Sequence, residues 1–83
     1  MDLTDDQKQY FYEEIQRVLD EEDLTIIFID NEGKFGNNFY NEIRGKTYRN
    51  KLTFLTKELE RRGLIHDFIE VVRKDYHNFA QEL

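Results

Sequence analysis

The residues that could carry chemistry in this 83-residue chain are few, and their spacing defeats most of it. There is no serine and no cysteine, so the two commonest nucleophiles are missing. Threonines remain, among them Thr25, Thr47, Thr53 and Thr56, and none stands beside a histidine. His66 and His77 are eleven residues apart; on one continuous helix that is about 16 Å, too far to share a metal. Both are expected as surface, capping or turn residues. Gly33-Lys34-Phe35-Gly36 lacks the Gly-Lys-Ser/Thr ending of a phosphate loop. Asp30, Asn31 and Glu32 lack the terminal bidentate glutamate of a twelve-residue calcium loop. Carboxylate pairs such as Glu13/Glu14 have no supporting base or ligand nearby. The residues point away from an enzyme, with no cofactor, metal or small-molecule substrate expected.

What remains is charge. Asp20-Glu21-Glu22-Asp23 is an acidic run, read as a solvated loop between two helices or as an acidic docking patch. Arg44, Lys46, Arg49 and Lys51 form a basic counterpart around the start of a later helix. Residues 1–32 hold eleven acidic and two basic residues, net −9, whereas residues 33–83 hold seven and ten, net +3. Patches of opposite sign on one small domain complement each other head to tail, the arrangement that builds rings or open filaments, and their fields speed and orient encounter. These eight residues are the candidate partner-binding set. The overall charge of −6 argues against a nucleic-acid partner, because such affinity comes largely from neutralised phosphates. A small helical nucleic-acid-binding or regulatory domain, using the fourth helix and its basic flank, is the alternative reading.

The elements that must position these charges follow from composition and periodicity. One domain spanning residues 1–83 is expected, since this length allows one modest core. Seven Phe and five Tyr supply the large apolar bodies a small core needs. Tyr10, Tyr12, Phe35, Tyr40, Tyr76 and Phe79 are too numerous all to be core, so one or two are expected to anchor an interface. With no cysteine, disulfides and thiolate zinc sites are excluded. No stretch nears the roughly 18 apolar residues of a membrane span, and the acidic amino terminus does not resemble a signal peptide, so a cytoplasmic protein without membrane contact is expected.

Thr4 and Gln7 fit a capping box opening a first helix, with Phe11, Ile15, Val18 and Leu19 on its apolar stripe. Leu24 to Ile29 reads as a strand by propensity, but no segment offers a pairing partner, so a short second helix stopped near Gly33 is expected. Asn38 to Arg44 is expected as a third helix burying Phe39 and Ile43, ended by Gly45. Thr47 caps a long fourth helix with Tyr48, Leu52, Leu55 and Leu59 inward, closed by Gly63 in a left-handed turn. A fifth helix carries Ile65, Phe68, Ile69 and Val72. A last half-turn or short helix around Asn78 to Leu83 is expected to cover the base. The fold class is all-α, a compact antiparallel bundle of five to six helices.

Taken together, Leu3-Thr4 with Gln7, Phe11, Ile15 and Val18, the helix from Tyr48 to Gly63-Leu64, and Phe68-Ile69, Val72-Arg73 and Asp75 to Asn78 resemble the prokaryotic effector-associated domains, a group with the death-like fold. The chain departs from that pattern in having His77 where a proline is usual, and in an isoleucine-rich second helix. The resemblance implies a six-helix death-like bundle that recruits effectors in bacterial conflict and antiphage defence through like-with-like contacts. It also implies charged interfaces at Asp20–Asp23 and Arg44–Lys51, an adaptor role, and a terminal module of a longer protein.

Overall fold

In a computed structural model, which describes residues 3–83, the chain folds into five α-helices and one 3₁₀ turn, with no strand among the described residues. The helices are α1 (Asp5–Val18), α2 (Glu21–Asp30), α3 (Glu32–Phe35), α4 (Tyr48–Arg61) and α5 (Ile65–Arg73); the 3₁₀ turn is Tyr40–Glu42.

Helix α1 begins as its sequence dictates. The Thr4 hydroxyl accepts from the Gln7 N–H, and the Gln7 side chain accepts from the Thr4 N–H, which satisfies two donors that have no partner within the helix. The acidic run Asp20–Asp23 is not a loop. Asp20 caps α2 and exchanges the same reciprocal bonds with Asp23, at 2.8 and 3.2 Å. Glu21, Glu22 and Asp23 thus occupy the first turn of α2, where the helix dipole favours negative charge. Leu24 to Ile29 is helical throughout. With no strand partner, only the helix satisfies the backbone of this β-branched run internally, and that outweighs its local preference.

The structure corrects two boundaries. Helix α2 stops at Asn31, and Gly33 lies inside the short α3; the chain reverses at Gly36, whose φ is 100°. The expected third helix over Asn38–Arg44 contracts to the 3₁₀ turn: Asn38 at φ 58° lies outside the helical region, and Ile43 at ψ 130° is already extended. Phe39 and Ile43 are buried as expected, and Tyr40 is buried with them. Gly45 has φ 130°, and a Cβ there would lie 2.6 Å from the Lys51 backbone nitrogen, so only glycine lets the loop approach the first turn of α4. The Thr47 hydroxyl accepts from the Asn50 N–H to cap α4. At the other end the Leu64 N–H reaches back to the Leu59 carbonyl at 2.8 Å, closing α4 around Gly63.

The core is built on aromatic rings. Phe68 is fully buried and lies 5.5–6.3 Å, centroid to centroid, from Phe11, Phe28, Phe35 and Phe79. Phe28 in turn stacks on Phe39 and Tyr40, so α1, α2, α5 and the 38–44 segment meet at one cluster. The segment after α5 adds hydrogen-bonded turns and no helix. It is fastened by two charged groups: the Glu14 carboxylate accepts from the Ala80 N–H at 2.9 Å, and the Arg73 guanidinium donates to the Phe79 and Ala80 carbonyls at 2.9 and 2.6 Å. No helix of the described residues is long and apolar enough to cross a membrane.

Candidate functional site

The eight charged residues do not form two simple patches. In the acidic run, Asp20 and Asp23 are committed to the α2 cap. The Glu21 carboxylate accepts a 2.8 Å hydrogen bond from the Tyr40 hydroxyl. Glu22 stays exposed on the outer face of α2. The Tyr40 phenol is buried and bonded to a carboxylate; burial first, and Glu21 second, raise its pKa far above the usual range. Tyr48, at the start of α4, donates to the Leu19 carbonyl at 3.2 Å, and its pKa is pushed up to about 12, chiefly by burial and then by Asp20, Glu21 and Asp23. The acidic turn therefore lies directly against the start of α4.

On the basic side, helix geometry separates the residues. Arg49 and Lys51 are two positions apart, which turns them roughly 200° around the axis. Lys51 reaches toward α2, its ammonium 4.4 Å from the centre of the Tyr40 ring; a cation over an aromatic face is attracted by the ring quadrupole. Arg49 lines a separate groove against α1 with Tyr12, Glu13 and Gln16. Arg44 lines a third, with Phe39, Ile43, Phe54, Lys57 and Arg62. Lys46 is exposed in the loop before Thr47. Of the eight, the structure brings Glu21, Glu22 and Lys51 together, around an open groove of about 500 Å³ that Thr25, Ile26, Tyr40 and Asn41 complete.

Reading the charges alone misses the apolar part of this surface. Ile26 is 49% exposed and Ile29 59% exposed, and with Phe54 at 42% they are the large apolar side chains that the fold leaves in solvent among the described residues. Glu22, Ile26 and Ile29 follow i, i+4, i+7 spacing, so they share one stripe of α2, half a turn away from the buried Leu24 and Phe28. The sequence contains that signal: three isoleucines and a phenylalanine in ten residues exceed one inward face. Phe54 is likewise off the stripe of Leu52, Leu55 and Leu59. Its groove, of about 370 Å³, has the Arg62 guanidinium 5.1 Å from the Phe39 ring at one side and Lys57 5.8 Å from Phe54 at the other. Among the aromatic residues expected to supply an anchor, Phe35, Tyr40 and Phe79 are buried in the core.

The described surface combines an acidic helix turn, an exposed isoleucine ridge and a basic, aromatic-lined groove. Among the described residues no three histidine, cysteine or carboxylate side chains are grouped to hold a metal ion. A family model described as effector-associated domain 6 matches residues 3–76. No curated protein and no solved structure gives a match.

Proposed function

Because the chain belongs to the effector-associated domain 6 family, we propose that it is a non-catalytic protein–protein interaction domain, a regulatory adaptor within a multidomain protein. In its finer form the proposal is that the bundle adopts the death-like arrangement and recruits effectors in bacterial defence through contacts with domains of its own kind, inside the cytoplasm. The observation that carries the reading is the outer face of α2. Two isoleucines are about half exposed, Ile26 beside Glu21, Glu22 and Lys51 and Ile29 further along the same stripe beside Glu32, a surface that folding does not require and that a partner would cover. Aliphatic side chains rimmed by charge are the usual anatomy of a specific contact, with burial supplying affinity and the rim supplying orientation.

A binding array decides this. The immobilised domain is exposed to purified effector-associated domains, a second copy of itself included, at low and high salt. Saturable binding to at least one is expected, weakening as salt screens the rim over a Debye length of roughly 8 Å at 0.15 M. Binding to none of them would remove the adaptor reading.

A further inference from the structure

We propose that the two exposed apolar surfaces are partners for each other: the α2 ridge of one copy, Glu22, Ile26 and Ile29, docks into the Phe54 groove of a second copy. The proposal rests on the adaptor reading and names the partner of that site. Three observations carry it. First, these two places hold the exposed large apolar side chains among the described residues, so each lacks a cover and each can supply one. Second, their charges are opposite. The ridge is flanked by exposed Glu21, Glu22, Asp30 and Glu32, against Lys51 at the Ile26 end. The groove is lined by Arg44, Lys57 and Arg62 against Glu42 and Glu58; Glu58 is paired with Arg62 and with Arg61 beside the groove, which leaves Arg44 and Lys57 against Glu42. Third, the shapes suit each other: the ridge is a convex helix face, and the groove is concave, walled by Phe39, Ile43 and Phe54. An aliphatic helix face laid into an apolar groove with complementary charges at its edge is a recurrent mode of recognition.

The geometry has a consequence for assembly. Apart from Phe39, which also borders the pocket beside Ile29, ridge and groove share no lining residue. A copy that uses its ridge keeps its groove free. The contact is heterologous and repeats, unlike a two-fold contact that closes on itself. The apolar patches are small, so each contact is weak and assembly depends on concentration or on tethering several copies.

The test uses two variants that fail separately and then complement. Ile26→Gln with Ile29→Gln disables the ridge, and Phe54→Gln disables the groove; glutamine keeps helix propensity and adds no charge. Sedimentation and light scattering are measured up to about 1 mM protein, with circular dichroism to confirm that each variant keeps its helices. The parent is expected to grow with concentration, and each variant alone to associate about thirtyfold more weakly or not at all. An equimolar mixture is expected to form one-to-one dimers that grow no further, because one good ridge meets one good groove. If the mixture stays monomeric while the parent assembles, the pairing of these faces is wrong and the homotypic reading survives. Should the parent stay monomeric at the highest concentration, a second copy is not the occupant, and the adaptor reading is decided by the binding array. A charge exchange keeps the question answerable if Phe54→Gln does not fold: Glu22→Lys and Lys57→Glu each weaken assembly, and their mixture restores it. No restoration there overturns the pairing.

Discussion

Helices α2 and α5 are close in length, ten and nine residues, and each carries five large aliphatic or aromatic side chains. They use them differently. In α5, Ile65, Phe68, Ile69, Val71 and Val72 are all buried. In α2, Leu24 and Phe28 are buried and Ile27 is half-buried, while Ile26 and Ile29 face water. The pattern of α5 is what a core demands. That of α2 exceeds the core's demand by two side chains, and an apolar surplus on one helix face is where a search for binding should begin. The contrast makes definite predictions, because damage to α5 should be felt as unfolding and damage to the α2 ridge as lost contact.

The largest effect is expected at Phe68. Its ring is the common neighbour of Phe11, Phe28, Phe35 and Phe79, and Phe68→Ala opens a cavity that rigid neighbours cannot fill. A loss of about 3–5 kcal/mol is expected, read as a fall in the urea midpoint. That is enough to unfold a domain of this size outright if its stability lies near the lower end of the usual range. A loss below 1 kcal/mol, by contrast, would mean that the aromatic cluster collapses readily and that α5 is no more committed to the core than α2.

The fastening of the chain beyond α5 gives a prediction in pH. Glu14 is buried, and its pKa is lowered mainly by the hydrogen bonds from Arg17; burial opposes this, and the Ala80 N–H adds to the lowering. A carboxylate whose pKa is depressed in the folded state contributes stability above its unfolded value, about 4.3, and loses it as pH falls through the lower folded value. Stability should therefore drop below about pH 4.3, and Glu14→Gln should flatten that drop. Near neutral pH the same substitution is expected to cost about 1–3 kcal/mol, because the Ala80 N–H and the Arg17 guanidinium lose an ionised acceptor. A chemical-denaturation series across pH, parent beside variant, measures both; an unchanged acid limb in Glu14→Gln would show that another carboxylate carries it.

Asp20 governs whether α2 forms where it does. Asp20→Ala removes the acceptor for the Asp23 N–H and should cost about 1 kcal/mol, seen as a lower melting temperature and as fraying of the first turn. Since Glu21 and Glu22 sit in that turn, the ridge should weaken as a partner as well. Proteolysis within 20–24 that speeds up together with lost binding would join the two effects.

How much of this could be read in the sequence depends on the range of the interaction. Thr4 with Gln7, Thr47 and Gly63 act within four or five residues, and each did what its type and position require. The stripe of Ile65, Phe68, Ile69 and Val72 in α5 was equally legible, whereas Val71, also buried, lies off it and depends on packing from a second side. Asp20–Asp23 misled because aspartate stands at both ends of the capping box, and a run of acids reads as solvated charge before it reads as a cap. The 38–44 segment misled because its apolar spacing suits a helix while Asn38 adopts a left-handed backbone conformation that spacing does not encode. The meeting of Glu21, Tyr40 and Lys51 spans three elements and follows only from the packed core. The separation of Arg49 from Lys51, in contrast, was available from the helical angle alone.

The smallest expected effect is the most discriminating. Ile29→Ala removes a side chain that is 59% exposed, so little buried area is lost, and alanine's better helix propensity returns up to roughly half a kcal/mol. These terms nearly cancel, and stability should stay within about 0.5 kcal/mol of the parent. The same change to Ile69 in α5, which is 2% exposed, should cost about 2–5 kcal/mol. Two isoleucines, one substitution and two helices of similar composition thus separate what the chain needs to fold from what it carries for a partner. If Ile29→Ala proves as damaging as Ile69→Ala in urea titrations, the outer face of α2 is part of the fold, and the surplus on which the binding surface rests does not exist.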